Sequence, residues 1–174
     1  MTCYEATNPD FANLENPNPA NHCVAEKITA GNSLIGTTIG SISMFLYYTG
    51  SPAGTQFRLG VWDSSTVMRA QSNAIDVSEL GTDTSGLKYT ADLTSTVTLA
   101  ENDMIGIMTL SAPSGYGIKI RQCDACGTPY ANGQRAIFTQ GSGSITPSSA
   151  DINFCVDDVP DSGAQLLPPP VAWI

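Results

Sequence analysis

Apolar and polar side chains alternate one by one along most of this chain. In the clearest run, Phe57, Leu59 and Val61 are separated by single residues that are polar or small. Successive side chains of an extended strand point to opposite faces, so such a run has one apolar face and one that can contact water. No window of twelve residues carries a convincing apolar stripe at helical spacing. The pattern therefore predicts an all-β protein with antiparallel sheets.

Segments rich in Gly, Pro, Asp, Asn and Ser separate the alternating runs and favour turns. Short strands at this spacing predict an antiparallel two-sheet β-sandwich, most simply a jelly roll of about eight to ten strands. A closed barrel is the alternative, because alternation does not distinguish closure from stacking. We predict strands at residues 24–29, 36–48, 55–62, 66–72, 87–92, 95–99, 104–111, 117–122, 135–140 and 152–158. The expected core comprises Ile42, Met44, Leu46, Phe57, Leu59, Val61, Ile118, Ile120, Phe154 and Val156.

The chain has 174 residues, which suits one domain. We assign the sandwich to residues 23–158 and predict an extended arm at each end. Residues 1–22 are rich in Pro and Asn, so we expect an irregular arm, either frayed or lying on a neighbouring subunit. The first five residues lack the basic and apolar stretches of a secretory leader. Either a leader has been removed, or the protein assembles inside a cell, as in a virion.

Residues 159–174 form the second predicted arm, in which three consecutive prolines enforce an extended chain. Large apolar residues flank these prolines and should be sheltered from water, either by this domain or by a neighbouring molecule. A stiff backbone also loses less entropy on docking. The expected intersubunit contacts are Leu166, Leu167, Val171, Trp173 and Ile174.

Charge and hydropathy exclude two classes of partner. Seven Lys and Arg oppose sixteen Asp and Glu, which gives a net charge of −9. Such a chain repels phosphate backbones, so we expect no nucleic-acid partner. No apolar run approaches the roughly 18 residues of a membrane helix, so we expect no membrane insertion.

Catalytic motifs are absent from the sequence. Its one histidine, His22, lies in the Pro- and Asn-rich entry to the first predicted strand, and no nucleophile-elbow, zinc-protease or phosphate-loop motif occurs. The carboxylates that a glycosidase would need all sit in or beside predicted turns, where backbone hydrogen bonding explains them. These carboxylates are Asp63, Asp76, Glu79, Asp92, Glu101 and Asp103. We therefore predict a protein that is not an enzyme.

Three interpretations of the five cysteines remain open. In an oxidising compartment, spacing favours disulfides Cys123–Cys126 and Cys3–Cys23, with Cys155 left free. In a reducing compartment all five would be thiols. A zinc site could combine Cys123 and Cys126 with two residues among Cys3, His22 and Cys23. One CxxC supplies only two of the four ligands that zinc needs, so no metal site is predicted.

No cofactor is predicted, although calcium remains a minor alternative because Asp-rich turns can bind it in sandwiches. The candidate calcium ligands are Asp83, Asp103, Asp157, Asp158 and Asp161. Sugar-binding sandwiches stack sugars on exposed aromatic rings. Trp62 shares the presumed outer face with Gln56 and Arg58, and Tyr47 is a second candidate, so these two aromatics are possible contacts for a ligand or partner. Alternatively, Trp62 covers the sandwich edge or meets a neighbouring subunit.

Residues 25–158 resemble a family of jelly-roll modules found in secreted, cell-surface and viral structural proteins and similar to carbohydrate-binding modules. The matching segments are GSPAGT at 50–55, VWDSS at 61–65, IDVSEL at 75–80 and DMIGI at 103–107. The resemblance implies a non-enzymatic module that displays, adheres or assembles.

These features predict a structural assembly protein in a virion or outside the cell. It would be a capsid decoration, spike or tail component of a virion, or a subunit of an extracellular filament. Its partners would be copies of itself or other particle proteins, bound through the terminal arms. The alternative is a carbohydrate-binding or adhesion module of a secreted or cell-surface protein, which would bind a surface glycan.

Overall fold

The computed structural model describes residues 1–4, 10–13, 21–50, 54–82, 84, 86–111, 117–123, 133–148 and 150–159. Within these residues lie fourteen β-strands and a 3₁₀ turn at Val77–Glu79, and no helix there is long and apolar enough to span a membrane. The strands are β1 (Thr2–Tyr4), β2 (Asp10–Asn13), β3 (His22–Ile28), β4 (Thr38–Thr49), β5 (Gln56–Trp62), β6 (Met68–Gln71), β7 (Ile75–Asp76), β8 (Leu87–Thr98), β9 (Met104–Ser111), β10 (Gly117–Cys123), β11 (Gly133–Thr139), β12 (Ile145–Ser148), β13 (Asp151–Ile152) and β14 (Phe154–Asp158).

The strands form two antiparallel sheets. In the first sheet, β4 pairs with β8 along one side and with β10 and β14 along the other. The short strands β1, β2 and β13 complete this sheet on β14 and β10. The second sheet has the order β12-β11-β3-β9-β5-β6, with β7 also paired to β5. The predicted two-sheet sandwich is confirmed, and successive long strands alternate between its sheets, as in a jelly roll.

The residues predicted for the core lie between the two sheets. Each of the ten is at most 3% exposed, and all belong to one apolar cluster. On β5, for example, Phe57, Leu59 and Val61 point inward because every second side chain of a strand faces the same side. The alternation of the sequence therefore identified the inward faces of β4, β5, β10 and β14.

A second apolar cluster lies on the opposite face of the second sheet. Trp62 packs edge-on against Phe138 of β11, with ring centroids 5.5 Å apart. This outer-face cluster comprises Cys23, Ala25, Trp62, Met104, Met108, Ala136 and Phe138, all of them buried. The outer face of this sheet is thus largely apolar and sheltered, where alternation alone allows a wet face.

The N-terminal arm is the clearest departure from the predicted architecture. Residues 1–22 were expected to be irregular, yet β1 pairs with β14, and β2 pairs with β10. The sequence there favours no regular structure locally. The strands arise because the edges of β14 and β10 offer unpaired backbone groups. Residues 160–174 of the predicted C-terminal arm lie outside the described residues.

One long strand replaces the two strands predicted at 87–92 and 95–99. The pairing of β8 with β4 jumps from Asp92–Ser41 to Val97–Ile39, so residues 93–96 bulge opposite Gly40. At the bulge, Leu93 forms a single bridge to Ser72, which follows β6 of the other sheet. The break in alternation near residue 94 therefore marks a bulge rather than a turn.

Candidate functional site

The two aromatic residues proposed for ligand contact are buried, so that prediction is wrong. Trp62 has no exposed surface, and Tyr47 is only 8% exposed. Neither ring is available to stack on a sugar. Trp62 does lie on the outer face, as expected, but Phe138 and the rest of the outer-face cluster pack around it. Alternation identifies the face on which a residue lies and says nothing about what covers that face.

The predicted disulfide between Cys3 and Cys23 is also wrong. The structure has a disulfide between Cys3 and Cys155, which stand directly opposite one another on β1 and β14. Cys155 is therefore not free, and the disulfide predicted between Cys3 and Cys23 does not form. Cys23 is a buried thiol, and burial raises its pKa to about 12. Cys126 and the side chain of Cys123 lie outside the described residues, as do Leu166, Leu167, Val171, Trp173 and Ile174.

The acidic residues considered for catalysis or calcium mostly serve the backbone and nearby strands. Asp63 accepts hydrogen bonds from the backbone N–H of Ser65 and Val67, at 2.8 and 2.9 Å. Asp76 caps the 3₁₀ turn, and the hydroxyl and N–H of Ser78 lower its pKa. These contacts are those expected of Asp in turns.

The calcium candidates do not converge in the described part of the chain. Asp103 is buried and pairs with Arg69, and the pKa of Asp103 is raised, chiefly by burial. Asp157 accepts a hydrogen bond from the hydroxyl of Ser41 at 3.0 Å, and Asp158 one from Thr2 at 3.4 Å. Among the described residues, no three His, Cys, Asp or Glu side chains are grouped as a metal would require. Asp83 and Asp161 fall outside those residues.

The structure also contains a pair of buried carboxyls that no sequence pattern predicted. Glu26 has no exposed surface and Asp151 is 4% exposed. Glu26 Oε2 accepts a hydrogen bond from the N–H of Ile152 at 3.0 Å, and Glu26 Oε1 is buried without a hydrogen-bond partner among the described residues. Burial raises the pKa of Glu26 well above its usual range, and the nearby Asp151 carboxyl raises it further. Burial also raises the pKa of Asp151.

Polar groups continue around this acid pair. Arg135 stands directly opposite Glu26 on β11 and donates a hydrogen bond to Gln122 of β10, in the other sheet. Asn153 is fully buried, and neither atom of its amide has a hydrogen-bond partner among the described residues. The cluster links β3 and β11 of one sheet to β10 and β13 of the other. One sequence signal could have revealed it: Glu26 occupies an inward position between Val24 and Ile28.

The most distinctive surface feature is the outer edge of the first sheet. Its strand β8 has twelve residues and no proline, and among the described strands it pairs with β4 alone. The other outer strands have four residues or fewer, and β12 carries Pro147. Short strands and prolines normally protect sheet edges from pairing with other chains. The bridge at Leu93 closes part of this edge, so the stretch that no other described strand pairs with is residues 87–92, called the open stretch below.

A shallow groove runs beside the open stretch of β8. It has a volume of about 290 Å³ and is lined by residues 72–75 together with Glu79, Tyr89, Ala91 and Asp92. The hydroxyl of Tyr89 donates a hydrogen bond to Glu79 at 2.8 Å. Burial and the nearby carboxylate raise the pKa of Tyr89 to about 12, so the hydroxyl stays protonated at neutral pH. We take the open edge of β8, with this groove, as the candidate site.

Comparisons with protein-family models, curated proteins and solved structures found no match. The resemblance to jelly-roll modules therefore stays a prediction, and the functional proposal rests on the geometry of the chain itself.

Proposed function

We propose that this chain is a structural subunit that joins copies of itself or other particle proteins, in a virion or an extracellular filament. The observation that carries the proposal is β8, a long outer strand without proline. An outer edge of this length presents N–H and C=O groups to which the strand of another molecule can pair. In an assembly protein such an edge is a means of attachment rather than a liability.

Two further features support this proposal. The sequence after residue 160 contains the apolar residues Leu166, Leu167 and Trp173 beside three prolines, a composition suited to docking on a surface. Where the described chain ends, the N–H of Val159 donates to the carbonyl of Thr38 at 2.9 Å, so this segment starts beside the central strand of the first sheet. The disulfide Cys3–Cys155 favours an oxidising location such as the outside of a cell.

The mass of the native particle tests this proposal. We expect light scattering and sedimentation of the full chain to give a species larger than a monomer, and deletion of residues 160–174 to reduce its size. A monomer at millimolar concentration, unchanged by the deletion, would contradict the proposal.

Fluorescence offers a second test, because the chain has two tryptophans, Trp62 and Trp173. In a Trp62→Phe variant, all tryptophan emission comes from Trp173. We expect this emission to be blue-shifted in the assembled state and to move to longer wavelength on dissociation, because a docked indole is shielded from water. If the emission is that of a fully hydrated indole in both states, Trp173 is not part of the interface.

Glycan binding, the alternative function, is not supported by the two described aromatic side chains that were proposed for it. Trp62 and Tyr47 are buried, and no other observation favours a sugar site. A glycan array that shows binding at millimolar ligand would revive this alternative.

A further inference from the structure

We infer that two copies of this chain pair antiparallel through β8, about a twofold axis at Thr90, so that the first sheet continues from one subunit into the next. This inference deepens the proposed function, on which it rests for the idea that copies associate. The proposed function needs only that the β8 edge or the segment after residue 160 contacts another molecule, in whatever register.

The sequence of the open edge is self-complementary about Thr90. Residues 87–93 read Leu-Lys-Tyr-Thr-Ala-Asp-Leu. If Thr90 lies opposite Thr90 of the partner subunit, Lys88 lies opposite Asp92 of the partner subunit, and the twofold axis repeats this pair. Opposite charges at facing positions of an antiparallel ladder stabilise it. The same strand thus supplies both halves of a complementary interface, as twofold association requires.

Residues that would face each other across the dimer also lie on the same face of the sheet. Lys88, Thr90 and Asp92 are exposed on the outer face, so the charged pairs would remain at the surface. The alternate residues Leu87 and Tyr89 face the inner side, where Tyr89 packs on Phe57 with ring centroids 6.0 Å apart. Leu87 is 54% exposed and lies at the end of this ladder, because Leu93, the position that would face it, is already bridged to Ser72.

Neighbouring registers lack this match. Shifting the pairing by two residues keeps the same faces together but places Lys88 opposite Thr90 or Thr94 of the partner subunit. Either shift leaves the charges without opposite partners. The register centred on Thr90 is therefore the one that charge selects.

A charge-swap series tests the register. Lys88→Asp or Asp92→Lys alone would place like charges opposite one another at two symmetric positions, so we expect each to weaken dimerisation at least about fivefold at low salt. The double swap restores opposite charges and should recover most of the affinity. The double variant also lacks Lys88, whose Nζ lies 3.0 Å from Met1 Sδ. Recovery of affinity would therefore show that loss of this contact does not explain the weaker dimerisation of Lys88→Asp. Equal dimerisation by all four proteins would overturn the inference.

Cysteine cross-linking tests the symmetry directly. Only a residue on the twofold axis meets its own copy, so Thr90→Cys should form a disulfide-linked dimer under mild oxidation, because facing Cα atoms of such a ladder lie about 4.5–5.5 Å apart. Thr96→Cys, exposed in the bulge of the same strand, is the matched control and should stay monomeric on a denaturing gel. Equal cross-linking of the two variants would contradict the twofold pairing.

The two proposals fail in distinguishable ways. If particles form normally in the Asp92→Lys variant but not after deletion of residues 160–174, the β8 pairing is overturned while the structural function stands. If neither change affects a strictly monomeric protein, both proposals are overturned.

Discussion

Glu26 is the residue whose surroundings depart most from what its position in the sequence predicts. It occupies an inward position of β3, where the neighbouring inward residues are Val24 and Ile28. The N–H of Ile152 donates a hydrogen bond to this carboxyl and lowers its pKa, but burial acts in the opposite direction and is the larger effect. The protonated form of Glu26 is therefore favoured.

The acid pair predicts how stability depends on pH. Because burial raises both pKa values, the stability that the pair contributes is full below the usual carboxyl pKa of about 4 and is lost as pH rises through the raised pKa values. A Glu26→Gln variant keeps an acceptor for the N–H of Ile152 but has no carboxyl to titrate. Relative to the wild type, its free energy of unfolding should therefore rise as pH increases from 4 to 8.

Urea unfolding at several pH values measures this difference. The matched control is Glu101→Gln, since Glu101 is exposed on a turn. If Glu26→Gln followed the wild type in parallel across the whole pH range, as we expect of the control, the pKa of Glu26 would not be raised in the folded protein.

Gly106 is a second residue that the tertiary structure constrains. A Cβ atom at this position would lie 2.2 Å from the carbonyl oxygen of Val24 and 2.5 Å from Cα of Ala25, both on the adjacent strand β3. Backbone atoms in the middle of a sheet cannot move aside cheaply. The glycine lets β3 and β9 approach each other closely beneath the outer-face cluster.

Two alanine substitutions separate this effect from backbone strain. Gly36→Ala places a side chain at a φ of +87° with no atom within 4 Å, so it should cost about 1–2 kcal/mol. Gly106→Ala meets the backbone of β3 and should cost clearly more. Thermal unfolding of the two variants measures the difference, and equal losses would show that the strands separate easily.

At the scale of elements, the disulfide attaches the short strand β1 to the first sheet. The strand β1 has three residues and pairs along one side with β14, an arrangement that would be marginal on its own. Cys3–Cys155 joins them across a sequence separation of 152 residues. The amino group of Met1 also lies 3.5 Å from the carboxylate of Asp157.

Removing this disulfide should destabilise the protein by about 2–5 kcal/mol. Without the cross-link, the unfolded chain has a larger conformational entropy, so unfolding becomes more favourable. The variant carries Cys3→Ser and Cys155→Ser together, and chemical denaturation measures the loss. Non-reducing peptide mapping provides the control, since the wild type should yield Cys3 linked to Cys155. A peptide that links Cys3 to Cys23 would contradict the structure.

The bulge in β8 shows which features of a strand can be predicted from the sequence and which cannot. Alternation located both halves of this strand, at 87–92 and 95–99, within about two residues. It could not reveal that β4 spans both halves, because four residues of one strand stand opposite a single residue of the other. Pairing between distant strands, rather than local preference, determined that one strand forms.

At the scale of the molecule, the second sheet has buried apolar residues on both of its faces. Phe57 is buried between the sheets, while Trp62, five residues later on the same strand, is buried on the outer side. Both faces should therefore contribute to stability. We expect Phe57→Ala and Trp62→Ala each to cost about 3–5 kcal/mol.

Val67→Ala is the control for these core substitutions. Val67 is 53% exposed, so its truncation should change stability by less than about 0.5 kcal/mol. Urea unfolding compares the three variants. A small effect of Trp62→Ala would mean that the outer-face cluster packs loosely and contributes little to folding.

The sequence by itself determined the fold class and the inward faces of β4, β5, β10 and β14, because the two-residue period of a pleated strand is a local property that alternating side chains reveal. Only the tertiary structure decided that Cys155 pairs with Cys3, that Trp62 is covered, and that Glu26 meets Asp151. These contacts join residues far apart in the chain, and their partners depend on which strands become neighbours. Local alternation carries no information about that choice.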